Sequence, residues 1–166
     1  MAEENKVNTK RVPERRTLRF ERIDDALADA EAMAAAQREG RLRQLGNWTL
    51  GQILGHLATW VGYAYDGVPV TPPLLIRWIM RPMKKRFLYK GMPAGVHIPK
   101  TPGGTFGTDV LPLDEGLARY RAACARLKAE APKRRHPIFG EMTHDEWIAG
   151  QLRHAELHLS FVRVHE

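Results

Sequence analysis

The strongest constraint on this chain is a stripe of apolar residues at helical spacing. Leu50, Ile53, Leu54, Leu57, Val61 and Ala64 recur every three to four positions behind Thr49, a good N-cap, and Asp66-Gly67 close the run. A helix of this kind must lay its apolar face against other elements. Three further stretches follow the same grammar. One opens at Asp24 or Asp25 and runs to about Arg38, with Gly40 just past its end. Another spans Pro112 to Ala131, with Asp114 and Glu115 in its first turn and Pro132 as its stop. Its apolar face carries Leu117, Tyr120, Cys124 and Leu127, so Cys124 reads as a core thiol rather than a nucleophile. The last runs from His144 to about Val164 behind Thr143, and Glu146 completes a capping box. Leu18 to Glu21 could form a short extended lead-in. No segment shows the alternation of a sheet strand, so the expected fold class is all-α, with four substantial helices and no clear sheet.

Two additions interrupt this pattern. Pro72-Pro73 start an amphipathic helical piece, Leu74 to about Tyr89, that Pro82 should kink. Such a piece can lie on a membrane surface, although packing on its own domain is the commoner use. Residues 91–112 are rich in Gly and Pro and lack periodicity, and loops this long tend to be lids or mobile linkers. Residues 1–17 are polar and charged and read as a flexible arm, leaving 18–166 as one helical domain.

The length of 166 residues fits one domain. With 43% apolar and 27% charged residues, the composition is that of a soluble globular protein. The arm contains no apolar h-region, so no secretory signal is expected, and the longest apolar candidate for a bilayer span, Pro72 to Met83, is broken by Arg77 and Arg81. A single cysteine excludes an intrachain disulfide and a Cys-cluster metal site, which makes the cytoplasm the expected compartment. The basic residues behind the net charge of +7 gather in Lys6 to Arg22, in Arg77 to Lys90 and in Arg126 to Arg135. It suits a solvated surface or an anionic partner, but no RNA- or DNA-binding signature accompanies it and no nucleic-acid partner is expected.

The chemistry-bearing residues are histidines. His154 and His158 stand four apart on the last helix, so both imidazoles lie on one face and can converge on one ion. At about 100° per residue they flank the stripe of Ile148, Leu152, Ala155, Leu159 and Val162, in line with Trp147 and beside Gln151. His56 flanks the apolar stripe of its own helix in the same way, with Trp60 one turn on. Histidines flanking the stripes of two packed helices can share one crevice, and bundle metal sites are built from facing helices. Three neutral imidazoles would leave a coordination position open for water or substrate. No HExxH is present, and Glu156 points to another face. A bare H-x3-H pair also arises by chance, with the histidines as satisfied groups at the core edge.

The stretches NWTLGQILGHLATW and HPIFGEMTHDEWIAGQLRHAELHL resemble the DinB/YfiT-like superfamily of four-helix-bundle proteins, closest to an uncharacterised branch of it. Trp48 to Gln52 leading into His56, the His136-Pro137-x-Phe139-Gly140 run before Trp147, and the H-x3-H pair carry the likeness, which extends from about residue 18 onward. It implies a metal triad of His56, His154 and His158 holding zinc, nickel or iron. It also implies homodimers and small-molecule transferase or isomerase chemistry, often with a low-molecular-weight thiol. The Gly/Pro loop and the amphipathic insert depart from that pattern.

The expected activity is therefore metal-dependent transfer or hydrolysis on a small molecule. The alternative is a non-catalytic binding module that uses the basic, amphipathic surface. Gln52, Trp60, Gln151 and His136 are candidates to line the pocket, although His136 more readily pins the turn it begins. His144 reads as solvated, His97 as a loop residue that reaches the site only if the loop folds over, and His165 as part of a frayed end.

Overall fold

The computed structural model describes residues 6–98, 101 and 104–165. The first five residues of the arm, part of the Gly/Pro-rich segment and Glu166 lie outside the described residues. The chain is mostly helical, in the order α1 (Ile23–Arg38), β1 (Leu42–Gln44), α2 (Leu50–Asp66), α3 (Leu74–Met80), α4 (Lys84–Lys90), α5 (Leu113–Ala129), α6 (His144–Leu159) and β2 (Val162–Val164).

The four long helices contribute to one core. Ala30 and Met33 of α1, Leu54 and Leu57 of α2, Leu117 and Leu127 of α5, and Leu152 and Leu159 of α6 are all buried in it. The caps expected from the sequence are formed: Thr49 accepts from Gln52 N at α2, and Thr143 and Glu146 make the capping box of α6. The approach of α2 to the start of α5 is backbone-close. A Cβ on Gly51 would collide with the Leu111 carbonyl, and one on Gly116 would collide with the Gly51 carbonyl. Glycine at both positions lets these helices touch without an intervening side chain.

Three features differ from the sequence reading. First, α6 ends at Leu159, and Val162–Val164 turns back as a strand antiparallel to β1, with Leu42 opposite Val164 and Gln44 opposite Val162. Bonds from Leu45 N to Phe161 O and from His165 N to Arg41 O extend the pairing. Second, Arg15 and Arg16, read from the sequence as part of a loose arm, are tied down. Arg16 bonds Asp29 through both Nη atoms, at 2.7 and 2.8 Å, and also donates to the Val162 and Leu159 carbonyls. It thereby satisfies a carbonyl that the end of α6 leaves without a helical partner.

Third, the amphipathic segment is divided. Pro82 sits in a 3-10 turn, Arg81–Met83, that separates α3 from α4. The α4 helix packs on α6 and buries Leu88, whereas α3 buries no residue. Packing on the domain therefore holds for α4 but not for the apolar face of α3.

Candidate metal centre

Helices α2 and α6 bring His56, His154 and His158 together. One nitrogen from each lies within 4.8 Å of the others. The ring centroids are 5.0 Å apart for His56 and His154, 4.5 Å for His56 and His158, and 4.7 Å for His154 and His158. The Nε2 atoms of His56 and His154 approach to 3.2 Å. Two nitrogens bound to one ion at about 2.0–2.1 Å in a tetrahedral set stand about 3.3–3.4 Å apart, so this pair already has the spacing of ligands. The cluster could hold a metal ion.

The other face of His56 is fixed by the Gly/Pro-rich segment. Its Nδ1 lies 2.8 Å from the Phe106 carbonyl oxygen. A carbonyl only accepts, so the bond requires the proton on Nδ1 and leaves the Nε2 lone pair facing the other two histidines. Trp60 Nε1 donates to the same carbonyl at 3.3 Å, and Gln52 Nε2 donates to Thr108 O at 2.8 Å. Gly107, at φ 68, lies against Thr59. Residues 106–108 are thus laid along α2 beside the cluster.

Aromatic rings wall the site. Trp48 stacks on His158 with centroids 5.3 Å apart and planes within 6°, and it also meets His56 at 4.8 Å. Trp60 presents an edge-to-face contact to His154 at 5.6 Å. Within these walls His56 is buried and the other two histidines are half-buried. Burial pushes the His56 pKa down to about 4, against a raising effect from its bond to Phe106. Burial, and then the neighbouring imidazoles, hold His154 and His158 well below the ordinary histidine range. The positive charge of Arg15 adds to the lowering at His158. All three rings are neutral at pH 7, which is the form that ligates metal.

The remaining candidates fall in different places. Gln52 and Trp60 stand beside the cluster. Gln151 donates to the Trp60 carbonyl at 3.3 Å and faces the interior near Tyr120 and Cys124. His136 belongs to the turn before α6: its Nδ1 accepts from Ile138 N and Phe139 N, both at 3.1 Å, and its ring stacks on Phe139. His144, expected in solvent, is half-buried, with Nε2 2.6 Å from the Leu127 carbonyl. His97 and His165 are exposed. Cys124 is buried and its thiol is pushed up to about 11, as suits a core residue. Glu156 is engaged elsewhere, with Arg153 and Phe20 N, both at 2.6 Å.

Sequence reasoning missed the parts that come from outside the two helices. Phe106 offers a backbone carbonyl, which no side-chain pattern reveals. Arg15 lies in a segment without periodicity. Trp48 did carry a signal, since it stands immediately before the Thr49 cap and so at the mouth of the helix that bears His56.

Comparison with curated proteins gives no significant match. Comparison with solved structures gives none either. The family described as "Protein of unknown function (DUF1569)" matches residues 12–165, a span that includes the three histidines and both walls of their crevice. The chain therefore belongs to the DUF1569 family.

Proposed function

We propose that His56, His154 and His158 are the protein ligands of one divalent transition metal, and that the centre serves transfer or hydrolysis on a small molecule. The observation that carries this reading is the convergence of three neutral imidazoles, with His56 and His154 Nε2 3.2 Å apart and His56 Nδ1 held by a backbone carbonyl. A ring oriented by a bond at its second nitrogen is the usual support of a metal-ligating histidine. Three nitrogen ligands suit zinc, nickel or iron. When bound, the ion supplies Lewis-acid activation, lowering the pKa of a water or thiol at an open position.

The chain's own residues prepare that position. The Phe106 carbonyl keeps the proton on His56 Nδ1. Trp48 and Trp60 exclude water from two sides and give a substrate an apolar wall. Gln52 pins residues 106–108 against α2. No carboxylate belongs to the cluster among the described residues, so the proton that an activated water or thiol loses would pass to the substrate or to solvent.

The finer fold assignment, a DinB-like four-helix bundle with α3 and α4 as an insert, is part of this proposal. It is supported by the four long helices that share one core and by the motifs around His56 and His154. A low-molecular-weight thiol as co-substrate and a homodimer follow from the same resemblance. The competing reading is a degenerate site in which His154 Nε2–H donates to His56 Nε2 and no metal enters.

Thermal unfolding of chelator-treated protein, with zinc, nickel or iron added back in turn, separates the two readings. A ligand held only by the native state raises its stability. A rise in Tm with one of these ions, absent in His154→Ala, supports the metal centre. Identical melts with and without every ion support the degenerate site.

A further inference from the structure

Between Gly67 and Thr108 the sequence holds seven lysines and arginines and no aspartate or glutamate. Within that stretch α3 departs from the usual placement of apolar side chains. Leu74, Trp78, Leu75 and Ile79 are 78%, 77%, 65% and 51% exposed. At about 100° per residue they occupy one continuous face about 140° wide. Ile76 and Met80, on the opposite side, are half-buried against the protein. Arg77 and Arg81 lie along the flank of the apolar face.

The α4 helix that follows is firmly rooted. Leu88 is 1% exposed, and Lys84 pairs with Glu146 at 2.7 Å. Lys85, Arg86 and Lys90 make no ion pair among the described residues, and neither do Arg77 and Arg81. A fixed base thus presents a short apolar helix surrounded by uncompensated positive charge.

We infer that α3 is a docking element for an anionic lipid surface. The Leu74–Ile79 face enters the boundary between headgroups and acyl chains, and the surrounding arginines and lysines meet the lipid phosphates and carboxylates. Two observations together select this occupant. The charge calls for an anionic surface. The four apolar side chains call for one with an apolar layer beneath it, with Trp78 at the level that tryptophan favours in membranes. A nucleic acid would use the charge and leave Leu74, Leu75 and Ile79 in water. A second copy joined through this face by two-fold symmetry would set like charges against each other. No helix of the described chain is long and apolar enough to cross a membrane, so the contact is with a surface. One short helix makes it reversible and sensitive to salt.

The test is co-sedimentation of the full chain with vesicles of phosphatidylcholine alone and of an equal mixture of phosphatidylcholine and phosphatidylserine, over a salt series. Binding is expected to the mixed vesicles, weakening as salt rises. The double change Leu75→Ser with Trp78→Ser reduces it at least about tenfold. Lys85→Gln with Arg86→Gln reduces it about fivefold per charge. Melting temperature and metal content of the same variants show that the fold and the histidine cluster are intact. Absence of binding to mixed vesicles at low salt overturns the inference, and so does binding that survives loss of Leu75 and Trp78. Self-association or RNA binding that depends on these residues, with no vesicle binding, overturns it as well.

Discussion

In the α2–α6 crevice, polar rings are enclosed; on α3, apolar side chains stand in water. The three imidazoles are held by a stacked tryptophan, an edge-on tryptophan and a backbone carbonyl. Leu74, Leu75 and Trp78 are each more than three-fifths exposed. Local rules and the global fold usually agree, and places where they part tend to be functional. The contrast also separates two kinds of departure. The crevice is supported from several sides, so damage there should reach the fold. The α3 face is unsupported, so damage there should leave the fold untouched.

The largest effect is expected from the support behind the crevice. Arg153 and Glu156 lie on another face of α6 from the histidines, with side chains 3% and 10% exposed and paired at 2.6 Å. Both also bond the Phe20 backbone. Glu156→Ala leaves a buried guanidinium without its partner and should cost about 3–5 kcal/mol in denaturant unfolding. A loss below about 1 kcal/mol would mean that α6 is not held in this way.

Next comes the close approach of α2 and α5. Gly51→Ala or Gly116→Ala places a methyl group against backbone that cannot turn away. Each should destabilise by about 2–3 kcal/mol, at the upper end for overpacking. Since Gly51 lies in the first turn of the helix that carries His56, either change should also weaken metal retention. Full retention in a destabilised variant would uncouple the crevice from its support.

A pH titration of metal-free protein sharpens the comparison further. Burial pushes His56 and His136 down to about 4, whereas an unfolded histidine titrates near 6.5. As pH falls below about 6.5, the unfolded chain takes up protons that the folded chain refuses. Stability therefore falls with pH through that window, and the share due to these two histidines levels off below about 4. His136→Asn, which offers an acceptor in place of Nδ1, should make this acid slope shallower. An unchanged slope would place the loss elsewhere.

The smallest effect belongs to α3. Leu75→Ser with Trp78→Ser should change unfolding free energy by no more than about 0.5 kcal/mol, because both side chains are mostly exposed. A loss of 2 kcal/mol or more on this scale would show that α3 is covered in solution and that the two regions are not opposites.

How far these regions could be read in the sequence follows the same division. The long helices were legible because their caps and apolar stripes are local: Thr49 and Thr143 mark α2 and α6, and the structure starts each at the next residue. The His154/His158 pair was legible because spacing places both side chains on one helix face, and His56 joined them through what the family resemblance implies. The two short strands were not, since three residues such as Val162-Arg163-Val164 carry too little alternation to oppose a helical reading. Arg16 and Phe106 act through contacts far along the chain, and the Phe106 contact is a backbone carbonyl. The amphipathic character of α3 was plain; which of its partners was missing depended on how α4 seated Leu88.

Elemental analysis of freshly purified protein beside His154→Ala shows whether the crevice holds a metal. Close to one zinc, nickel or iron per chain is expected in the unaltered protein, with a near-complete loss in the variant. Unaltered protein without a transition metal, or a variant that retains the same amount, would contradict it.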